Sequence, residues 1–63
     1  MSIIEFKQAH GLTWQQVSKL LGVTVGACHF WRRGERSVPG TVVRLLSLYN
    51  DHPKLIKTIL SDS

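Results

Sequence analysis

Apolar side chains recur every three or four positions in five segments of the chain, and polar or turn-forming residues separate these segments. This spacing places the apolar side chains on one face of an α-helix, whereas a half-buried strand would alternate at every second position. The segments predict helices over residues 2–9, 13–21, 25–33, 39–49 and 53–61. The sequence therefore predicts an all-α fold in which a compact set of five helices forms one domain, residues 1–63.

Two of the segments begin with the spacing of a capping box, in which a hydroxyl and a side chain three residues later each accept a backbone N–H. Ser2 and Glu5 stand at these positions in the first segment, and Thr13 and Gln16 stand there in the second. The local sequence thus predicts where both helices start.

The second and third segments are predicted to form a tight helix pair around Gly22. Glycine adopts the positive φ that is often needed just past a helix, and Thr24 supplies a capping hydroxyl for the helix that follows. Ser18 falls where the two helices cross closely, and a larger side chain there would force them apart. The apolar positions of the pair are Val17, Leu20, Leu21, Val23, Cys28 and Trp31.

The last two segments are predicted to close the core over this pair. The expected inner face of the fourth helix consists of Val42, Leu45, Leu46, Leu48 and Tyr49. The fifth segment carries four large aliphatic residues, which is more than one buried face of so small a domain needs. Part of this stripe is expected to meet a partner, and the alternative is a terminal core helix. These residues are Leu55, Ile56, Ile59 and Leu60.

The charge of the chain adds information about its partner. The net charge is +4 and the isoelectric point is about 9.9, which favours a polyanionic partner. Arginines cluster around the end of the third segment, whereas the four acidic residues are scattered. Such a cluster suits phosphate contacts because each neutralised phosphate releases counterions, although it would also suit a solvated charged surface. The clustered arginines are Arg32, Arg33, Arg36 and Arg44.

The remaining composition excludes several classes of protein. With 43% apolar residues the chain can bury a core, so disorder is not expected. No apolar run approaches the roughly 20 residues that span a bilayer, and the N-terminus lacks the pattern of a signal peptide. The single cysteine, Cys28, forms no internal disulfide, which fits a reducing compartment. We expect a soluble cytoplasmic protein with no membrane partner.

No catalytic or metal-binding pattern stands out. The chain has no defensible Ser-His-Asp or Cys-His-Asp arrangement and no glycine-rich phosphate loop. Cys28 and His29 are adjacent, so on a helix they point about 100° apart, and His10 and His52 have no ligand spacing with them. We expect neither an enzyme nor a metal, cofactor or small-molecule site, and we expect Cys28 to be buried and inert.

Four short motifs follow one another along the chain: Gly-Leu-Thr at 11–13, Leu-Gly-Val-Thr at 21–24, Trp-x-x-Gly at 31–34 and a proline at 39. Together they resemble the DNA-binding domain of the Cro and lambda-repressor type, the Xre-like helix-turn-helix regulators. The resemblance implies a sequence-specific regulator of double-stranded DNA whose third helix enters the major groove. A small homodimeric repressor of the bacterial or phage kind, bound to a near-palindromic operator, is the expected function.

The resemblance also assigns roles to residues. The expected base readers are Thr24, Val25, Gly26, His29 and Phe30. The expected phosphate contacts are Trp14, Gln15, Gln16, Arg32, Arg33, Arg36 and Arg44. The expected dimer interface is Leu55, Ile56, Ile59 and Leu60. Among the readers, Val25 suits a thymine methyl, Gly26 permits close approach of the backbone, and His29 can donate to guanine.

Some residues depart from the family pattern. Lys7 and Arg32 occupy positions where relatives often carry an Arg–Glu pair, so two like charges replace an ion pair. Trp14 stands where relatives carry a phosphate-gripping glutamine; it either donates its indole N–H to the backbone of DNA or packs in the core. Phe30 faces the groove, belongs to a protein–protein surface, or packs beside Trp31.

Two other functions remain open. Residues 39–60 are similar to the end of the domain in several toxin-neutralising Xre-like proteins, which would make the chain a DNA-binding antitoxin with a toxin as partner. Alternatively, Val25, Gly26 and Phe30 mark a face that has been reused for protein–protein interaction on the same fold.

Overall fold

The computed structural model describes residues 2–61, and these residues form five α-helices. The helices are α1 (Ile3–Ala9), α2 (Trp14–Leu21), α3 (Val25–Arg32), α4 (Gly40–Asp51) and α5 (Lys54–Ser61). The part of the chain that the structure describes contains no strand, so the all-α prediction is confirmed. No helix within residues 2–61 has both the length and the hydropathy that crossing a bilayer requires.

Both predicted capping boxes are present. The Ser2 hydroxyl accepts the Glu5 N–H at 3.1 Å, and the Glu5 carboxylate accepts the Ser2 N–H at 3.1 Å. The Thr13 hydroxyl accepts the Gln16 N–H at 3.1 Å, and the Gln16 side-chain oxygen accepts the Thr13 N–H at 2.9 Å. These bonds satisfy amide groups that have no partner within the first turn of a helix, which fixes the starts of α1 and α2.

The turn between α2 and α3 is built as the sequence predicts. Gly22 has a φ of 68°, and Val23 donates its N–H to the Ser18 carbonyl at 3.1 Å. The Thr24 hydroxyl accepts the Ala27 N–H at 3.1 Å and caps α3. Ser18 is buried, and its own hydroxyl donates to a carbonyl one turn earlier in α2 at 2.7 Å. A small side chain therefore occupies a buried position of α2.

One apolar core contains residues from all five helices. Its buried members are Ile3, Phe6, Leu12, Val17, Leu20, Leu21, Cys28, Val42, Leu46, Tyr49 and Ile56. The Tyr49 hydroxyl donates to the Leu20 carbonyl at 2.5 Å and so joins α4 to the end of α2. Burial raises the pKa of the Tyr49 hydroxyl and of the Cys28 thiol, because it disfavours their charged forms. The predicted burial of Cys28 is confirmed.

The structure corrects two predicted apolar positions. Leu48 is 44% exposed, because it lies six positions after Val42 and therefore about 240° further around α4. Ile56, expected in a dimer interface, is only 6% exposed and belongs to the core, because α5 packs against α2 and α4. Ile59 and Leu60 pack partly against the same core, whereas Leu55 remains 37% exposed. Most of the aliphatic stripe on α5 is thus covered within the chain.

Candidate nucleic-acid interface

Helix α3 has one face in the core and one face at the surface. It packs against α1 and α2 through Cys28, which is fully buried. The five predicted base readers are more accessible than this residue. Thr24 and Gly26 are exposed, and Val25, His29 and Phe30 are half-buried. All five residues are therefore at least partly accessible at the surface.

Gly26 is not required by the fold. A Cβ placed there would meet only the Thr24 hydroxyl oxygen, at 3.8 Å, which is an ordinary van der Waals distance. Its φ is not positive, unlike that of Gly22. Glycine in a helix costs up to about 1 kcal/mol relative to alanine. Its effect here is to leave the backbone of the first turn of α3 uncovered on the outer side.

Trp14 lies at the centre of a cluster to which three helices contribute. The ammonium nitrogen of Lys7, in the last turn of α1, is 5.3 Å from the centroid of the Trp14 ring. The guanidinium carbon of Arg32 is 6.0 Å from it, and the His29 ring meets it edge-on at 5.7 Å between centroids. The half-buried Trp14 also packs against the core. We call Lys7, Trp14, His29 and Arg32 the tryptophan cluster.

A hydrogen bond within the tryptophan cluster fixes the tautomer of His29. The Arg32 Nε–H donates to His29 Nδ1 at 2.9 Å. Arginine remains protonated and has no acceptor, so Nδ1 must be the unprotonated nitrogen and Nε2 carries the proton of the neutral ring. His29 therefore offers an N–H donor, which is the group expected to read guanine N7 or O6.

Phe30 forms a second cluster with two arginines from the end of α3 and the loop that follows. The guanidinium carbons of Arg33 and Arg36 lie 5.6 Å and 4.6 Å from the centroid of the Phe30 ring. Arg33 is also paired with Glu35 at 3.1 Å. The ring therefore serves as a platform for cations, a contact that was not among the three expected for Phe30. Residue periodicity could not reveal it because Arg36 lies beyond the helix.

The other predicted phosphate contacts are distributed unevenly. Gln15 is exposed at the start of α2, beside Trp14, whereas the side-chain oxygen of Gln16 is engaged in the capping box. Arg44 is exposed on α4 and makes no hydrogen bond, ion pair or ring contact with either cluster. Lys7 joins the site although the sequence did not assign it there. The available signal was that Lys7 and Arg32 place two like charges at positions where the regulators that the sequence resembles often carry an ion pair.

The charges on this surface are mostly uncompensated. Among residues 2–61 the only ion pair is the one between Arg33 and Glu35. Lys7, Arg32 and Arg36 therefore carry positive charge with no carboxylate of the described residues within ion-pair distance, which favours a positive potential around α3.

This face is chemically suited to bind anions and hydrogen-bond acceptors. It presents guanidinium, ammonium and imidazole N–H groups. No group of three or more His, Cys, Asp or Glu side chains in the described part of the chain is arranged to hold a metal ion. Comparisons of the chain with protein-family models, with curated proteins and with solved structures each give no match.

Proposed function

We propose that the protein is a sequence-specific DNA-binding regulator with a lambda-repressor-like helix-turn-helix fold, and that α3 is its recognition helix. The observation that carries this proposal is the position of the two aromatic–cation clusters beside one exposed face of α3. The major groove of B-DNA, about 12 Å wide, admits an α-helix, and the phosphates on either side of it attract the flanking cations.

Each part of the surface has a separate role in this proposal. Lys and Arg contacts to phosphates position a protein on DNA, whereas contacts to base edges give the specificity. Arg36 and Arg32 are the main phosphate contacts. His29 donates to an acceptor on a base, Val25 contacts a thymine methyl, and Gly26 allows the helix to approach closely. With so few polar readers, the shape of the operator supplies a further part of the specificity.

The regulator acts as a homodimer in this proposal. Two recognition helices related by a two-fold axis read half-sites about 10 bp apart on a near-palindromic operator. Leu55 is the most exposed of the α5 residues expected at the interface and is available for such pairing. Occupation of a promoter by this dimer represses transcription in the cytoplasm of a bacterium.

The proposal is tested by selecting bound DNA from a random pool of duplexes at moderate salt, with light scattering to size the complex. We expect a near-palindromic motif with half-sites about 10 bp apart, bound by two chains. Motif-free binding or no binding would contradict the proposal and favour a protein-interaction module.

Substitutions distinguish the proposed phosphate contacts from the proposed base contacts. Arg36→Ala should weaken binding to all sequences alike, whereas His29→Ala should relax the preference at one base position. Lys57→Ala is the control, since it removes one positive charge from an exposed residue of α5 that belongs to neither cluster. Equal, sequence-independent losses for Arg36→Ala and His29→Ala would contradict the reader role of His29.

A further inference from the structure

We infer that the tryptophan cluster is a binding site for the phosphate backbone of DNA and that Lys7, on α1, contacts a phosphate there. This inference rests on the proposed function and extends the DNA-binding surface beyond α2 and α3. Lys7 and Arg32 come from the last turns of different helices and converge on the ring of Trp14, at 5.3 Å and 6.0 Å from its centroid.

The electrostatics of the tryptophan cluster favour an added anion. Two cations are held near one indole, and no carboxylate in residues 2–61 lies within ion-pair distance of either. Attraction to the ring holds each cation in place without removing its charge. Arg33 differs because Glu35 already neutralises it. A phosphate bound beside the ring would supply the negative charge that Lys7 and Arg32 lack within the described residues.

The indole of Trp14 provides a further donor for this anion. Its N–H makes no hydrogen bond to another group among the described residues, and the indole nitrogen is not fully buried. Indole N–H groups donate and never accept, so a phosphate oxygen is a suitable partner.

The same cluster connects the phosphate site to the base reader. Arg32 uses Nε for His29, which leaves its two terminal nitrogens for a phosphate oxygen. A bound phosphate would hold the Arg32 side chain in place, and Arg32 in turn would hold the His29 ring with its Nε2–H directed outward. Positioning on the backbone and reading of one base thus depend on one arginine.

The inference is tested by the salt dependence of DNA affinity, measured by fluorescence anisotropy with the selected duplex. Because two chains bind the selected duplex, Lys7→Gln should reduce the slope of log affinity against log salt by about two, one for each chain, and Lys7→Arg should restore it. Lys57→Gln is the charge-matched control and should leave the slope unchanged. Thermal unfolding of each variant, followed by circular dichroism, checks that the fold is retained.

A second measurement identifies the phosphate. Methylphosphonates, which lack the charge, replace the phosphates of one half-site one at a time. We expect one position at which neutralisation weakens the wild type more than it weakens Lys7→Gln, because Arg32 and Trp14 still contact that phosphate in the variant. If every methylphosphonate that weakens the wild type weakens Lys7→Gln equally, Lys7 contacts no phosphate, and this inference fails while the proposed function stands.

A third measurement applies if no duplex binds, in which case the proposed function fails. Trp31→Phe leaves Trp14 as the only tryptophan, so its fluorescence reports on the cluster during titration with inorganic tripolyphosphate. If the fluorescence changes in Trp31→Phe but not in the Trp31→Phe, Lys7→Gln double variant, the cluster is a phosphate site whose natural ligand is a molecule other than DNA. No change in fluorescence would overturn the site as well.

Discussion

The hydroxyl of Tyr49, on α4, donates to a backbone carbonyl of α2 that has no partner within α2. Leu20 lies in the last turn of α2, where carbonyl groups have no partner within the helix. Tyr49 donates to this carbonyl at 2.5 Å from α4, and both residues are buried. A single hydrogen bond thus joins two helices through residues that are 29 positions apart along the sequence.

Replacing Tyr49 with phenylalanine should lower the free energy of unfolding by about 1–2 kcal/mol, because the ring is kept while the Leu20 carbonyl loses its partner. Chemical denaturation measures this change. Ser47→Ala, at an exposed position on the same helix, is the control and should have little effect. An unchanged midpoint for Tyr49→Phe would mean that the hydrogen bond contributes nothing to stability.

The same hydroxyl predicts a pH dependence. Burial raises the pKa of Tyr49 in the folded state above its ordinary value of 10.0. A raised pKa contributes stability that is fully present below the ordinary value and is lost as the pH rises through the folded pKa. Tyr49 is the only tyrosine, so Tyr49→Phe should remove its share of the alkaline loss and leave the share due to Cys28, whose pKa burial also raises. Chemical denaturation at a series of alkaline pH values measures this difference.

At the scale of the helices, α3 contains a glycine that neither the backbone nor the packing requires. Gly26→Ala should raise the free energy of unfolding by about 0.5–1 kcal/mol, because alanine has less freedom to lose on folding. The same change should weaken DNA binding, since the new methyl lies on the face proposed to enter the groove. Denaturation and anisotropy measure the two effects separately.

Gly22→Ala is the matched control for this pair of effects. Gly22 has a φ of 68°, so alanine there should lower stability by about 1 kcal/mol. The molecules that remain folded should bind DNA as the wild type does. If Gly26→Ala binds DNA as tightly as the wild type, the proposal that Gly26 allows a close approach of the backbone to DNA is wrong.

The starts and ends of the helices could be predicted because local chemistry determines them. Ser2 and Thr13 cap their own helices, and Gly22 ends α2, as the sequence indicates. The end of α4 was predicted two residues early. The helix continues to Asp51 because only His52, which precedes a proline, is pushed out of the helical region, to φ −129° and ψ 70°.

The contacts between helices could not be predicted from periodicity. Spacing alone does not fix how a helix is rotated about its axis, so it placed Leu48 in the core and Ile56 at the surface. It also could not show that Lys7 and Arg32 meet at Trp14, because their helices are brought together only by the core. The candidate residues of α3 were recoverable from sequence, whereas their neighbours in the site required the fold.

At the scale of the whole molecule, the surface carries apolar residues that the small core does not cover. Ile4 and Val43 line an open groove between α1, α4 and the end of α3, and Leu55 lies on α5. A domain of about 60 residues buries only about 60% of the surface of its unfolded chain, so pairing of two copies would add needed stability. The groove lined by Ile4 and Val43 and the surface around Leu55 are therefore two alternative sites for such pairing.

A pair of matched substitutions decides between them. Ile4 is 39% exposed and Leu55 is 37% exposed, so Ile4→Glu and Leu55→Glu place a new charge at positions of nearly equal exposure. Under the proposed function Leu55→Glu should yield monomers in light scattering, because the charge would be buried at the dimer interface without a partner. Operator binding should then weaken and become more strongly dependent on protein concentration, since the dimer must form on the DNA. Ile4→Glu should leave both properties unchanged. If Ile4→Glu gives monomers and Leu55→Glu does not, the two copies pair through the groove between α1 and α4, and the aliphatic stripe of α5 has only a role in the core.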